Sequence, residues 1–209
     1  MNKNLYIVSP KLNDWVGKAE FIPHMQFPWN HISVAKKIDT KFQMLVQWKR
    51  LKEISLDYFR STSPIVSERF AAICQEQQVN CQLVPLDILL NGNPLGNKFY
   101  FLLLNKFISI VDASKTPHVR EMTRDGKGYQ INKFFPDIPQ YDMLENVVLN
   151  DSERPPFFMA PEIGNKRVCT QAFKECVERN KMNGLEFKVI DSSFKYEALG
   201  YGAIRDRER

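Results

Sequence analysis

Phe99-Tyr100-Phe101-Leu102-Leu103-Leu104 is a run of six consecutive apolar residues. Such a run fits a strand covered on both faces, because a strand with one wet face would alternate with polar residues. It is therefore read as the centre of a sheet. Upstream, Pro64-Ile65-Val66-Ser67-Glu68-Arg69-Phe70 opens a helix, with Ser67 placed to cap and Glu68 favourable at the positive end. Val66, Phe70, Ile73 and Cys74 then share one face at helical spacing. After the polar break 75–80, Cys81 to Leu86 reads as a strand, and Asn91-Gly92-Asn93-Pro94 turns the chain. Downstream, Asn105-Lys106 is expected to make a tight hairpin into a strand over 107–112. A helix on a three-stranded meander is a core, and nothing in it resembles a catalytic motif.

The same stretch resembles the eleventh class of bacterial immunity proteins, the myxobacterial-type immunity domain of polymorphic-toxin systems. The matching residues are Val66-Ser67-Glu68-Arg69-Phe70, Tyr100 with Leu103-Leu104-Asn105, and Ile110-Val111-Asp112 with Ser114. Asp57-Tyr58-Phe59, Phe157-Phe158 and Gly184-Leu185-Glu186-Phe187 extend the likeness over roughly 55 to 190. The resemblance implies a protein that binds a cognate toxin and holds it inactive without catalysing anything.

Bulk properties agree with a soluble globular protein. The 209 residues are 44% hydrophobic and 25% charged, enough to bury a core without disulfides or metal. No stretch reaches the roughly 18 apolar residues of a membrane span, and the early patch Leu5 to Val8 is too short for a signal-peptide core. The cytoplasm is the expected compartment. The charge of +5 suits acidic partners, nucleic acid included, but the cations are scattered and Lys49-Arg50-Leu51-Lys52 runs straight into Glu53. A solvated surface is the plainer reading, and neither nucleic acid nor membrane is expected as a partner.

Outside the central stretch, Leu5 to Val8 reads as a strand and Tyr129 to Phe135 as a further one; Phe42 to Trp48 alternates as a strand does, although Leu45, Trp48 and Leu51 would also line one helix face. Gly126-Lys127-Gly128 is a loop tip; it lacks the earlier glycine and following hydroxyl of a phosphate loop. Val168, Ala172, Phe173, Cys176 and Val177 make an amphipathic helix capped by Thr170 and stopped by Asn183-Gly184, followed by a strand over 185–190. Helix, polar turn and strand repeat the order of 66–86, with too few identities to claim duplication. The expected division is an N-terminal segment, 1–55, packed on an immunity-like domain, 56–195, with a flexible tail, 196–209. The expected class is α+β: a mixed, largely antiparallel sheet with two or three helices packed on it.

The reactive side chains form no recognisable centre. Cys74 and Cys81, and likewise Cys169 and Cys176, are seven residues apart, which is no common zinc spacing. Cys169 and Cys176 would lie two turns apart on one helix, too far to bridge. His24, His31 and His118 fit no metal motif, and there is no Gly-x-Ser-x-Gly elbow. Asp112 and Ser114 read as strand-end residues that bond free backbone amides. No catalytic, cofactor-binding or metal-binding residue is assigned, and no cofactor is implied. Trp15, Phe27 and Trp29, in a Pro-containing segment outside the regular elements, are the candidate partner-binding anchors. Two other readings remain at this point: an enzyme that reverses a toxin's modification, and a basic nucleic-acid-binding accessory protein.

Overall fold

The computed structural model describes residues 4–11, 18–22, 27, 38, 40–47, 51–61 and 63–198, with the backbone alone for 18–20 and 21–22. In chain order the first strands are β1 (Leu5–Pro10), β2 (Lys18–Ile22), β3 (Phe42–Gln47), β4 (Tyr58–Phe59) and β5 (Ile65–Ser67), which feeds helix α1 (Glu68–Glu76). Then come β6 (Cys81–Leu90), β7 (Asn93–Pro94), β8 (Phe99–Leu104), β9 (His118–Arg120) and β10 (Tyr141–Leu144). The last third holds β11 (Phe157–Ala160), a 3-10 turn at Pro161–Ile163, β12 (Lys166–Thr170), α2 (Gln171–Arg179), β13 (Leu185–Ile190) and β14 (Tyr196–Glu197). The α+β class holds broadly, but strand outweighs helix and the strands divide among three sheets.

The largest sheet runs β2-β3-β6-β8-β5-β4, with β7 paired to β6. Only β3 and β6 pair in parallel among the described strands. β8 lies inside this sheet between β6 and β5, and its side chains divide between two cores. Phe99, Phe101 and Leu103 join Phe42, Val46, Ile65 and Leu86 on one face. Leu102 and Leu104 meet Phe70, Ile73 and Phe173 on the other. The apolar run is thus two alternating faces, both dry. Pro85 sits inside β6, but β3 begins pairing only at Leu86, so its missing N–H interrupts no bond on that side.

The second sheet, β11-β12-β1-β13, repeats the arrangement β4-β5-β8-β6 strand for strand. In each unit a two-strand antiparallel pair leads into a nine-residue helix, and the next strand returns beyond one inserted strand. The registers coincide. Ser67, Val66 and Ile65 face Phe99, Tyr100 and Phe101, as Thr170, Cys169 and Val168 face Leu5, Tyr6 and Ile7. The Ser67 and Thr170 hydroxyls accept from the N–H groups of Phe70 and Phe173, each satisfying one orphan donor of the first turn. Both helices end with a positive-φ residue, Gln78 and Lys181, at the same distance past the cap. The fold is therefore a structural duplication, although Phe70 and Phe173 are among the few side chains retained in both copies. These two rings meet with centroids 6.2 Å apart, and both helices share one core with the facing surfaces of the two sheets.

A third core covers the other face of the second sheet. Leu5, Ile7, Val168 and Ile190 pack there against Ile110, Tyr141, Leu144 and Phe194, beneath the small sheet β14-β10-β9.

Several local expectations change. Val66 belongs to β5 and Val168 to β12, so each helix starts later than the apolar spacing indicated. Cys169 is accordingly on a strand rather than on the helix that carries Cys176. α2 ends at Arg179, and the Gly184 conformation (φ 88°) serves the following turn instead. No hairpin forms at Asn105-Lys106, because β5 already occupies the free side of β8. Residues 107–111 instead cross over: Phe107 bridges Met159 of the second sheet, and Val111 makes an isolated bridge with Leu149. Tyr129 to Phe135 is not a strand; it keeps only the isolated bridges Met122–Tyr129 and Ile131–Pro139.

Candidate partner interface

Three of the immunity-like motifs meet at one buried carboxylate. Asp57 is 3% exposed. Its Oδ1 accepts from Ser67 Oγ at 2.6 Å, and its Oδ2 from the Asn183 N–H at 3.0 Å and from Arg69 Nη1 at 3.4 Å. Arg69 continues to the Asn180 carbonyl, 2.9 Å away, at the end of α2. The main chain closes the same knot, since the Asn183 carbonyl accepts from the N–H groups of Asp57 and Tyr58. Gly184 completes it: a Cβ there would lie 2.2 Å from the Tyr58 carbonyl oxygen. Asp57-Tyr58, Val66-Ser67-Glu68-Arg69 and Gly184 thus tie the two repeats together. Their geometry is that of a structural clasp, with the Asp57 carboxylate committed to partners from both repeats.

Asp112 and Ser114 form the turn expected of them. Asp112 Oδ1 accepts from the Ser114 N–H and hydroxyl, at 3.1 and 2.6 Å, and Lys115 Nζ lies 2.8 Å from Oδ2. The Lys115 and Ser114 hydrogen bonds pull this carboxyl down to about 2. Glu162, which the sequence did not single out, anchors the preceding segment. Its Oε1 accepts from the N–H groups of Ile110, at 2.5 Å, and Val111, at 2.8 Å, and its other oxygen accepts from the Ser109 hydroxyl. Burial holds the Glu162 carboxyl above its ordinary range, partly opposed by those hydrogen bonds. The carboxylate replaces the ladder that a paired strand would have supplied.

The potential nucleophiles and bases do not converge among the described residues. The Cys74 thiol is pushed up by its hydrogen bond with Cys81 and by burial, and burial also raises Cys169. Buried, raised thiols are poor nucleophiles. His118 packs edge-on against Tyr141, with Nδ1 2.7 Å from the Thr116 carbonyl oxygen. His24 and His31 lie outside the described residues, and no group of three His, Cys, Asp or Glu able to hold a metal occurs among those described. Of the anchor candidates, Trp15 and Trp29 lie outside the described residues. Phe27 is half-buried, with ring centroids 5.2 Å from Phe101 and 5.9 Å from Phe42, so it packs over the outer core of the large sheet.

A different segment presents apolar surface. Met122, Tyr129, Ile131 and Phe134 are 47, 52, 65 and 52% exposed, and they account for most of the large exposed hydrophobics among the described residues. All four stand between β9 and β10. The segment is held in shape from within. Thr123 and Gly128 close the tip, with the Thr123 N–H donating to the Gly128 carbonyl at 2.9 Å. Buried Asn132 accepts from the N–H groups of Phe134 and Phe135, and Phe135 stacks on Phe107 at 4.6 Å. The Arg120 guanidinium lies 4.1 Å from the Tyr129 ring centre. Over 129–134 only Asn132 is buried, so Tyr129, Ile131 and Phe134 all face solvent. The apolar alternation of this segment was visible in the sequence, but its exposure was not.

The described residues thus present two repeated sheet units joined at the Asp57 clasp, and one ordered apolar projection between β9 and β10. The family model described as Immunity protein family (Imm11) matches residues 14–192, and the chain belongs to that family. No curated protein matches the chain. Among the described residues, no helix is long and apolar enough to cross a membrane.

Proposed function

We propose that this protein neutralises a cognate toxin of a polymorphic-toxin system, in the cytoplasm, by forming a stable stoichiometric complex rather than by catalysis. Membership of the immunity family over 14–192 carries the reading. The clasp around Asp57 supports it, because the family-like residues there are spent on hydrogen bonds that hold the fold. In such a complex a few large side chains carry most of the affinity, while exposed cations tune the encounter. Trp15, Phe27 and Trp29 remain the proposed anchors.

The test is a titration in cells or extract against the toxin encoded beside this protein's gene. Stoichiometric neutralisation protects only when immunity protein at least matches toxin, and the two co-elute. Alanine at Cys74, Cys81, Cys169, Cys176, His24, His31 or His118 should leave protection intact in every variant that folds. Protection at a hundredfold excess of toxin, with no stable complex, would replace this reading with an enzymatic one.

A further inference from the structure

The projection between β9 and β10 combines two properties that rarely coexist on an idle surface. Its four large apolar side chains are exposed, yet the backbone beneath them is fixed by the Thr123–Gly128 closure, the Asn132 caps and the Phe107–Phe135 stack. An ordered apolar patch on a protein surface marks an interaction site, and pre-ordering removes part of the entropy that binding would otherwise lose. Charge indicates what it meets. Arg124 and Lys133 are exposed beside these side chains, and neither has an ion-pair partner among the described residues. Asp125 is exposed too, its carboxylate accepting from the Thr123 hydroxyl and the Lys127 N–H, but the exposed cations Arg124, Lys127 and Lys133 outnumber the exposed acids Asp125 and Asp137 in this segment.

We infer that Met122, Tyr129, Ile131 and Phe134, flanked by Arg124 and Lys133, form the surface that docks on the toxin, against an apolar depression with an acidic rim. This rests on the reading of the chain as a toxin-binding protein and adds the place and the chemistry of contact. Two other occupants fit less well. Single-stranded nucleic acid favours flat rings for stacking, and the most exposed side chain, Ile131, has no π face. A second copy of this chain would bring like-charged rims together.

Binding is measured with the toxin encoded beside this gene, carrying an inactivating active-site substitution, by surface plasmon resonance over a salt series. Ile131→Asp and Phe134→Ala should each weaken the complex about 30-fold or more, mainly through faster dissociation. Lys133→Glu should slow association several-fold and flatten its salt dependence. Glu76→Ala on α1 is the control, expected within twofold of the unchanged protein. Circular dichroism melts accompany each variant; should Ile131→Asp fail to fold, Phe134→Ala and Tyr129→Ala decide. If the unchanged protein binds the toxin and the folded variants bind equally well, the surface is wrong while the immunity reading stands. If the unchanged protein binds no toxin, both fall. A dimer that Ile131→Asp converts to monomer, or an RNA affinity that Tyr129→Ala abolishes, would assign the surface to those occupants instead.

Discussion

Replacing Asp57 with Ala removes the acceptor at the middle of the clasp. Two hydrogen bonds to a buried charged group disappear, from Ser67 Oγ at 2.6 Å and from the Asn183 N–H at 3.0 Å. Hydrogen bonds to charged groups are worth about 1.5–3 kcal/mol each, and donors left without partners lose more. The Arg69 contact at 3.4 Å adds little, since that side chain is 59% exposed. The lower end gives a loss of about 3 kcal/mol. At about 2–4 °C per kcal/mol for a domain of this size, the melting temperature should fall by about 6–12 °C. The assay pairs a urea or thermal melt with toxin binding measured well below the transition. The clasp lies away from the proposed docking residues in the chain, so binding by the folded fraction should be unchanged. Near-normal stability with lost toxin binding would refute the argument, because Asp57 would then be a contact residue rather than a clasp.

Leu102 is 2% exposed between the two repeats, so Leu102→Asp buries an unpaired charge. It should cost several kcal/mol and yield insoluble protein; a soluble variant with a cooperative melt would show the sheet to be inside out. The Tyr58 hydroxyl is buried with no hydrogen-bond partner among the described residues. Tyr58→Phe should therefore stabilise by about 1 kcal/mol, and a lower urea midpoint would reveal a bond that the geometry does not show. Glu162, whose carboxyl burial raises, contributes stability that is full below its ordinary value of 4.5 and is lost as pH rises through its raised folded value. Glu162→Gln should remove that part of the decline while keeping an oxygen for the Ile110 and Val111 N–H groups. Identical urea-midpoint profiles for both proteins from pH 4 to 8 would count against it.

How far the fold could be read ahead depends on the range over which each signal acts. The six apolar residues of β8, the Ser67 and Thr170 caps and the alternation of Leu185 to Ile190 are local patterns, and each became the element expected. Val66 and Val168 misled because strand and helix adjoin with one capping residue between them, so an apolar side chain on the strand also fits the helical spacing. Residues 107–112 had strand character but no vacant partner, since Ile65–Ser67 had taken the edge. That is a property of pairing, not of the segment. Nor could local pattern show that Leu5 to Pro10 would enter the second sheet, or that Glu162 would turn inward. The exposure of Met122, Tyr129, Ile131 and Phe134 was not legible for a related reason: alternation around Ile131 suggested a strand, and only the tertiary structure shows that nothing but Asn132 is covered over 129–134.

The inserted strand of the first repeat, β8, follows its helix within a few dozen residues, but that of the second, β1, comes from the opposite end of the chain. Leu5 pairs with Thr170 on one side and Ile190 on the other. On a ribosome extending the chain at about 5–20 residues per second, β1 therefore waits on the order of 10–40 s for both partners. For the later half of that interval the first repeat has all its strands, while the second cannot yet assemble. Nascent chains of this protein should accordingly expose Leu5, Ile7 and Val8 as a chaperone target until the last third has emerged.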